Sequence, residues 1–202
     1  MEKIAKNSIA DKWWRRQWHP ALDHSLACLN RALAVSDDSA GERSILLNKS
    51  LDYIIEAAHS AGNGSESAPK ELFPDRKQSS TQEILFSVLS FYDKPDNRLA
   101  AYGSLQPGES NYHLMNGIEG NWQHGELIGD VHKHDGYPRF CWQPGGTPIK
   151  ATVLESSNLE EHYPRLDYFE GPNYRRILVP VRVGQDWSVC NVYASCDQTY
   201  DF

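Results

Sequence analysis

The chain has 202 residues, of which 40% are hydrophobic, and a mean hydropathy of −0.60, which suits one domain with an appendage or two small domains. Most of its net charge of −7 lies in residues 96–202, which carry 8 Lys and Arg against 14 Asp and Glu, and this argues against nucleic acid as a partner. No apolar run approaches the roughly 18 residues of a membrane span and the N-terminus lacks a signal-peptide core, so we expect a cytoplasmic protein without a membrane span.

The first part of the chain begins with a predicted helix over about residues 13–34. Four leucines form one stripe at helical spacing: Leu22, Leu26, Leu29 and Leu33. Before them, Trp13, Trp14 and Trp18 surround two arginines. This cluster would lie on a membrane surface, bind a partner peptide, or pack onto the neighbouring domain with the arginines turned to solvent. We favour packing, because the segment is short and the protein is acidic.

Two further helices are predicted by Ser-x-x-Glu spacings, which are typical of capping boxes. Ser39 and Glu42 precede a helix over about residues 42–60, and Ser80 and Glu83 precede one that Pro95 closes. Residues 61–79 between them contain a Gly- and Ser-rich stretch and are interpreted as a flexible linker. Because no catalytic residue types gather here, we interpret residues 1–95 as an all-helical N-terminal region and a candidate for recognition of a protein partner.

After Pro95 the pattern changes to short strands separated by turns. Apolar or alternating runs predict strands over residues 99–102, 125–131, 150–155, 177–183 and 189–194, with turns at 135–138 and 144–146. A short helix is predicted over residues 158–168, with Asn158 as its cap. Its inward face would hold Leu159, Tyr163, Leu166 and Phe169. Five or more strands around one helix predict an α+β fold, a small mixed β-barrel or curved sheet, with the turns near residues 103–110 at its mouth.

Two motifs in this second part carry candidate functional groups. Tyr102-Gly103-Ser104-Leu105 follows a strand, and its small residues would expose backbone N–H groups to an oxyanion or a carboxylate. Leu166-Asp167-x-x-Glu170-Gly171 ends the predicted helix with a carboxylate, and its glycine lets the chain leave the helix in a left-handed conformation.

Other side chains that could bind metal or form disulfides lack the necessary spacing. His132 and His134 would share one face of a strand, but no third ligand is evident, so no metal is expected. The four cysteines form no C-x-x-C pair and predict reduced thiols, mostly in the core: Cys28, Cys141, Cys190 and Cys196.

Taken together and in this order, the two motifs resemble the γ-glutamylcyclotransferase family over about residues 98–195. Gly125, Gly129 and Gly136-Tyr137-Pro138 lie between them, and Tyr174-x-Arg176 follows them. The similarity is to the shorter branch of AIG2-like proteins and γ-glutamylamine cyclotransferases. It implies a γ-glutamylcyclotransferase-like domain over residues 96–202 that needs no metal or organic cofactor.

The resemblance also implies a reaction. Glu170 would act as general base on the α-ammonium of a γ-glutamyl substrate, and the freed amine would attack its own γ-carbonyl, releasing an amine and 5-oxoproline. Tyr102, Gly103, Ser104 and Leu105 would bind the glutamyl carboxylate and the developing oxyanion. We expect burial against the two aromatic residues before Glu170 to raise its pKa toward neutrality.

Several roles stay open at the level of sequence. The hydroxyl of Tyr174 either binds substrate or anchors the turn. A capping or turn-bonding role is favoured over catalysis for Asp167, and Arg176 is interpreted as structural. The loop lacks the Asn that the longer cytosolic enzymes carry between Ser and Leu, which favours a γ-glutamyl amine or a γ-glutamyl protein side chain over a glutathione-derived dipeptide. The alternative function is a catalytically silent module that binds a small ligand or a protein with the same pocket, using residues 1–95 to recognise a partner.

Overall fold

The computed structural model describes residues 13–61, 75–76, 78–134 and 136–197. Three helices come first, α1 (Pro20–Ala34), α2 (Ala40–Ser60) and α3 (Thr81–Phe91). Strands β1 (Arg98–Ala101), β2 (Asn121–His134), β3 (Tyr137–Trp142) and β4 (Thr147–Glu155) follow. Helix α4 (Leu159–Glu170) and the hairpin of β5 (Tyr174–Val183) and β6 (Asp186–Ser195) complete the chain. Most of the predicted linker lies outside the described residues. None of the described helices has the length and apolar character needed to cross a membrane.

Five of the strands close into a barrel. Strand β1 pairs antiparallel with β4 and parallel with β6. Strand β2 pairs antiparallel with β4, and strand β5 pairs antiparallel with β6. The circle is closed where Glu126 and Leu127 of β2 pair with Arg182 and Val181 of β5. Strand β3 pairs with the last six residues of β2. The predicted α+β fold, a small mixed barrel with one helix and a helical N-terminal region, is therefore confirmed.

The predicted turn at residues 135–138 is wrong in its second half, which belongs to strand β3. Tyr137 and Pro138 belong to the strand, opposite His134 and Lys133 of β2. The apolar signal for this strand is weak, because only Phe140 and Trp142 are buried within it. Proline at its second position also reads locally as a turn.

The three N-terminal helices pack against the barrel. One hydrophobic cluster joins Leu26 of α1, Leu51 of α2 and Val88 of α3 to barrel residues such as Val179 and Val192. Asn30 attaches α1 to β5 with two hydrogen bonds, because its amide donates to the Leu178 carbonyl at 2.8 Å and accepts from the Leu178 N–H at 2.8 Å. The side chain thus satisfies strand groups that lie beyond the stretch of β5 paired with β2.

The tryptophan cluster packs as expected. Trp14 is fully buried, with its ring centroid 6.0 Å from those of Phe91 and Tyr92. The ring centroid of Trp18 lies 5.8 Å from that of Trp187 on β6. These contacts confirm the packing interpretation over a membrane-surface or peptide-binding one.

The helix boundaries differ from the sequence expectation at two points. Helix α1 begins at Pro20 rather than at residue 13, because proline is favoured in the first turn and His19 accepts a hydrogen bond from the Ala21 N–H. The expected capping box at Ser39 does not form, because a short 3₁₀ turn gives that residue a non-extended backbone, with ψ of 41°. The box at Ser80 does form, with Glu83 returning a hydrogen bond to the Ser80 N–H.

Candidate active site

Helix α4 carries Glu170 at its last position. Leu159, Tyr163 and Leu166 of α4 are buried against β1, β4 and β6. Glu170 follows Leu166 by four residues and therefore continues this stripe, whereas Phe169 lines the cavity but is 41% exposed. The expectation that Phe169 faces the core is thus wrong. Gly171, with φ of 65°, ends the helix directly after the carboxylate.

The cap expected at the other end of this helix does not form either. Asn158 occupies the N-cap position but makes no capping hydrogen bond. Its side chain instead accepts from the Ser156 hydroxyl at 2.6 Å and donates to the Gly117 carbonyl at 3.2 Å. These bonds attach the start of α4 to the segment before β2.

The loop after β1 holds the other motif. The Ser104 hydroxyl accepts from the Asn111 amide at 2.9 Å, and the Ser104 carbonyl accepts from the Asn111 N–H at 3.0 Å. The Gly103 carbonyl accepts from the backbone N–H of Gln106 at 3.2 Å. Within the described part of the chain, the N–H groups of Gly103, Ser104 and Leu105 donate to no protein acceptor. The loop is thus fixed through its oxygens, and none of its three N–H groups has an acceptor among the described residues.

These two segments line one cavity of about 610 Å³, a size typical of sites for small organic molecules. All six residues expected from the sequence line it: Tyr102, Gly103, Ser104, Leu105, Glu170 and Tyr174. Residues not expected from the sequence line it as well, among them Ser110, Asn111, Tyr137, Phe169, Asn173 and Tyr193. Of the described lining residues, Glu170 is the only carboxylate and none is Lys, Arg or His. A substrate carboxylate in the cavity would therefore be bound by neutral donors.

Burial raises the pKa of Glu170 from 4.5 to about 7, and the nearby Asp167 carboxylate adds to this effect. The expected direction is confirmed, but one expected cause is wrong. Tyr168 is 90% exposed and cannot desolvate the carboxyl group. An α-helix turns about 100° per residue, so Tyr168 and Glu170, which are two residues apart, point about 200° apart and lie on different faces.

Asp167 forms a network beside the cavity rather than a cap. Its carboxylate accepts from Arg176 at 3.0 and 3.3 Å and from the Tyr193 hydroxyl at 2.7 Å. The Arg176 guanidinium also donates to Asn191 at 3.0 Å and lies 3.8 Å from the centre of the Tyr163 ring. The structural interpretation of Arg176 is confirmed. Tyr193 gave no sequence signal, because it was one of several mostly apolar residues in the predicted strand over residues 189–194.

The hydroxyls of two lining tyrosines bind backbone groups. Tyr102 donates to the Tyr193 carbonyl at 2.9 Å and accepts from the Phe140 N–H at 3.1 Å. Tyr174 donates to the Pro138 carbonyl at 3.1 Å. Of the two roles considered for Tyr174, the structure shows an anchoring bond, and it is made to β3.

The remaining candidates do not gather into a site. His132 lies exposed on β2, and the side chain of His134 lies outside the described residues. No group of three or more His, Cys, Asp or Glu side chains in the described ranges could hold a metal ion. The four cysteines are free thiols, and Cys190 is fully buried.

Comparison with known proteins identifies the second part of the chain. The family described as "Gamma-glutamyl cyclotransferase, AIG2-like" matches residues 99–201. An AIG2-like protein from Mus musculus is 24% identical, with a TM-score of 0.40, over 50% of this chain and 77% of that one. YkqA from Bacillus subtilis is 22% identical, with a TM-score of 0.43, over 50% of this chain and 36% of that one. A protein from Arabidopsis thaliana is 20% identical, with a TM-score of 0.41, over 50% of this chain and 69% of that one.

No curated protein sequence matches this chain significantly. The family match spans just over half of the chain and includes every described residue that lines the cavity. The chain therefore belongs to the γ-glutamyl cyclotransferase, AIG2-like family.

Proposed function

We propose that the protein is a γ-glutamylcyclotransferase-type enzyme that releases 5-oxoproline from a γ-glutamyl amine or amide. One observation carries the proposal: a partly buried carboxyl with a pKa of about 7 and a loop with three unbonded N–H groups line the same cavity. A base with a pKa near neutrality and a set of oxyanion donors are the two groups that this cyclisation needs.

In the first step, the carboxylate of Glu170 accepts a proton from the α-ammonium of the substrate. The freed amine attacks the γ-carbonyl carbon, forming the ring C–N bond and a tetrahedral oxyanion. The N–H groups of Gly103, Ser104 and Leu105 stabilise that oxyanion or the α-carboxylate. Because the attack is intramolecular, much of the barrier is overcome by holding the substrate folded.

In the second step, the protonated Glu170 donates to the leaving nitrogen and the original amide C–N bond breaks. Glu170 then accepts the second proton of the ring nitrogen and passes it to the departing amine. The ring nitrogen thus loses two protons in all and the leaving amine gains two, so the reaction needs no co-reactant. The product amine departs as an ammonium ion at neutral pH. Asp167, which is ion-paired with Arg176 and bonded to Tyr193, fixes the last turn of α4 that presents the base.

We further propose that residues 96–202 contain the complete site and that residues 1–95 support it. No described residue before Leu99 lines the cavity. The helices contact the barrel through the shared hydrophobic cluster and through Asn30.

The test is 5-oxoproline release, followed by mass spectrometry, from a panel of γ-glutamyl amines and dipeptides. We expect Glu170→Gln to lower kcat/KM by at least about 100-fold, the usual contribution of a general base. Glu160→Gln, which removes an exposed carboxylate from the same helix, is the matched control and should retain activity. Absence of release from every panel member, with γ-glutamyl ligands still bound, would replace this proposal with the catalytically silent binding module.

A further inference from the structure

Two aromatic side chains at the cavity are exposed to solvent. The large apolar side chains exposed in the described residues are Leu33, Ile45, Phe86, Val131, Tyr137, Tyr168 and Phe169. Of these, Tyr137 and Phe169 line the cavity, and they are 69% and 41% exposed. Exposed apolar surface beside a cavity is a common mark of a ligand-binding surface.

The cavity has a buried end and an open end. Leu99, Ala101 and Leu105 line the buried end and are at most 5% exposed. Tyr137, the first residue of β3, and Phe169, in the last turn of α4, are the exposed apolar residues of the lining and therefore mark its open end. Both lie on regular elements, so their positions are set by the barrel and the helix rather than by a loop.

The proposed reaction determines which half of a substrate lies at each end of the cavity. The glutamyl part must reach the N–H groups of the loop and the carboxylate of Glu170, whereas the leaving amine must depart toward solvent. A γ-glutamyl group has about nine non-hydrogen atoms, which at up to roughly 30 Å³ each fill less than half of the cavity. More than half of the cavity of about 610 Å³ therefore remains for the leaving amine, and aromatic residues line its open end.

Charge also limits the leaving group. The described lining residues include no Lys, Arg or His that could pair with a second carboxylate on the substrate. The nearby cation Arg139 lies over the Tyr174 ring, 6.0 Å from its centre, and is not itself part of the lining. Within the lining, a carboxylate on the leaving amine would therefore meet the Glu170 carboxylate and no cation.

Resting on the proposed function, we infer that the leaving amine carries an aromatic or bulky apolar group that packs against Tyr137 and Phe169. These two residues determine the specificity for the amine half of the substrate. Aromatic rings contribute both apolar area and a preferred ring geometry to such contacts.

The test compares γ-glutamyl-phenethylamide with γ-glutamyl-ethylamide, which differ only by a phenyl ring. We expect wild-type kcat/KM to favour the phenethylamide by roughly tenfold or more. Tyr137→Ala and Phe169→Ala should each reduce that preference by about two- to tenfold. Because the readout is the ratio of kcat/KM for two substrates, any effect of a substitution on the basicity of Glu170 affects both values equally and cancels. Tyr168→Ala is the matched control, since this ring is 90% exposed and does not line the cavity.

A second readout separates this inference from the proposed reaction. Calorimetric binding of both amides is measured on the Glu170→Gln protein, with melting temperatures confirming that each variant is folded. Turnover of neither amide by the wild type, together with no release from any member of the earlier panel, would refute the reaction, and the ratio of the two affinities would then decide the inference. Equal kcat/KM and equal affinity for the two amides, or a preference unchanged in both variants, would overturn it.

Discussion

Replacing Glu170 by glutamine should make the protein more stable at alkaline pH even though it removes the proposed base. The folded chain holds the proton of this carboxyl up to about pH 7, whereas the unfolded chain loses it near pH 4.5. The contribution of the protonated group to folding is therefore complete below pH 4.5 and is lost as the pH rises through 7. Glutamine has a similar shape and does not titrate.

The size of the effect follows from the pKa shift. At about 1.36 kcal/mol per pKa unit, the ionised wild type would be destabilised by at most roughly 3 kcal/mol. Solvent at the open end of the cavity screens part of this, so we expect about 1–3 kcal/mol. The free energy of unfolding of the variant relative to wild type should increase by this amount between about pH 4 and pH 8.

The assay is urea denaturation of both proteins at the two pH values, with unfolding followed by tryptophan fluorescence. Glu160→Gln is the control for removing one negative charge from α4. A difference between Glu170→Gln and wild type that does not change with pH would show that the carboxyl group is not desolvated in the folded protein, and would refute the reasoning.

Three further substitutions test how the site is supported. Asn30→Ala should lower the free energy of unfolding by about 1–3 kcal/mol in denaturation experiments, because it leaves two backbone groups of Leu178 unpaired; no loss would contradict the α1–β5 attachment. Tyr102→Phe should lower it by a similar amount, about 1–3 kcal/mol, since the Phe140 N–H loses its acceptor; reduced affinity for a γ-glutamyl ligand without a loss of stability would instead indicate direct substrate binding. Gly171→Ala should destabilise by on the order of 1–3 kcal/mol through backbone strain alone, because a Cβ there meets no atom within 4 Å; an unchanged melting temperature would contradict this.

The local parts of this structure could be predicted from sequence. Capping at Ser80 depends on residues within one turn, and the β5–β6 hairpin follows from strong strands across a short turn. Glu170 was found from its motif at the end of the helix, whereas the helical stripe of Leu159, Tyr163 and Leu166 predicted Phe169 on the inward face. The loop at Gly103 was marked by its small residues.

The long-range parts could not be predicted, because no local pattern encodes them. Closure of the barrel depends on a short pairing of β2 with β5. The network of Asp167 with Arg176 and Tyr193 joins a helix to two strands. The expectation that Tyr168 helps to bury Glu170 was wrong, because residues two apart on a helix are close in sequence but lie on different faces.

The most direct test of the central claim is to run the reaction in water enriched in oxygen-18 and to identify the products by mass spectrometry. Intramolecular attack by the α-amine, with Glu170 as base, predicts 5-oxoproline and free amine in equal amounts, with no oxygen-18 in the 5-oxoproline. Formation of glutamate that contains one oxygen-18 atom would instead show attack by water at the γ-carbonyl. That result would contradict the cyclotransferase account and make the cavity a hydrolytic site.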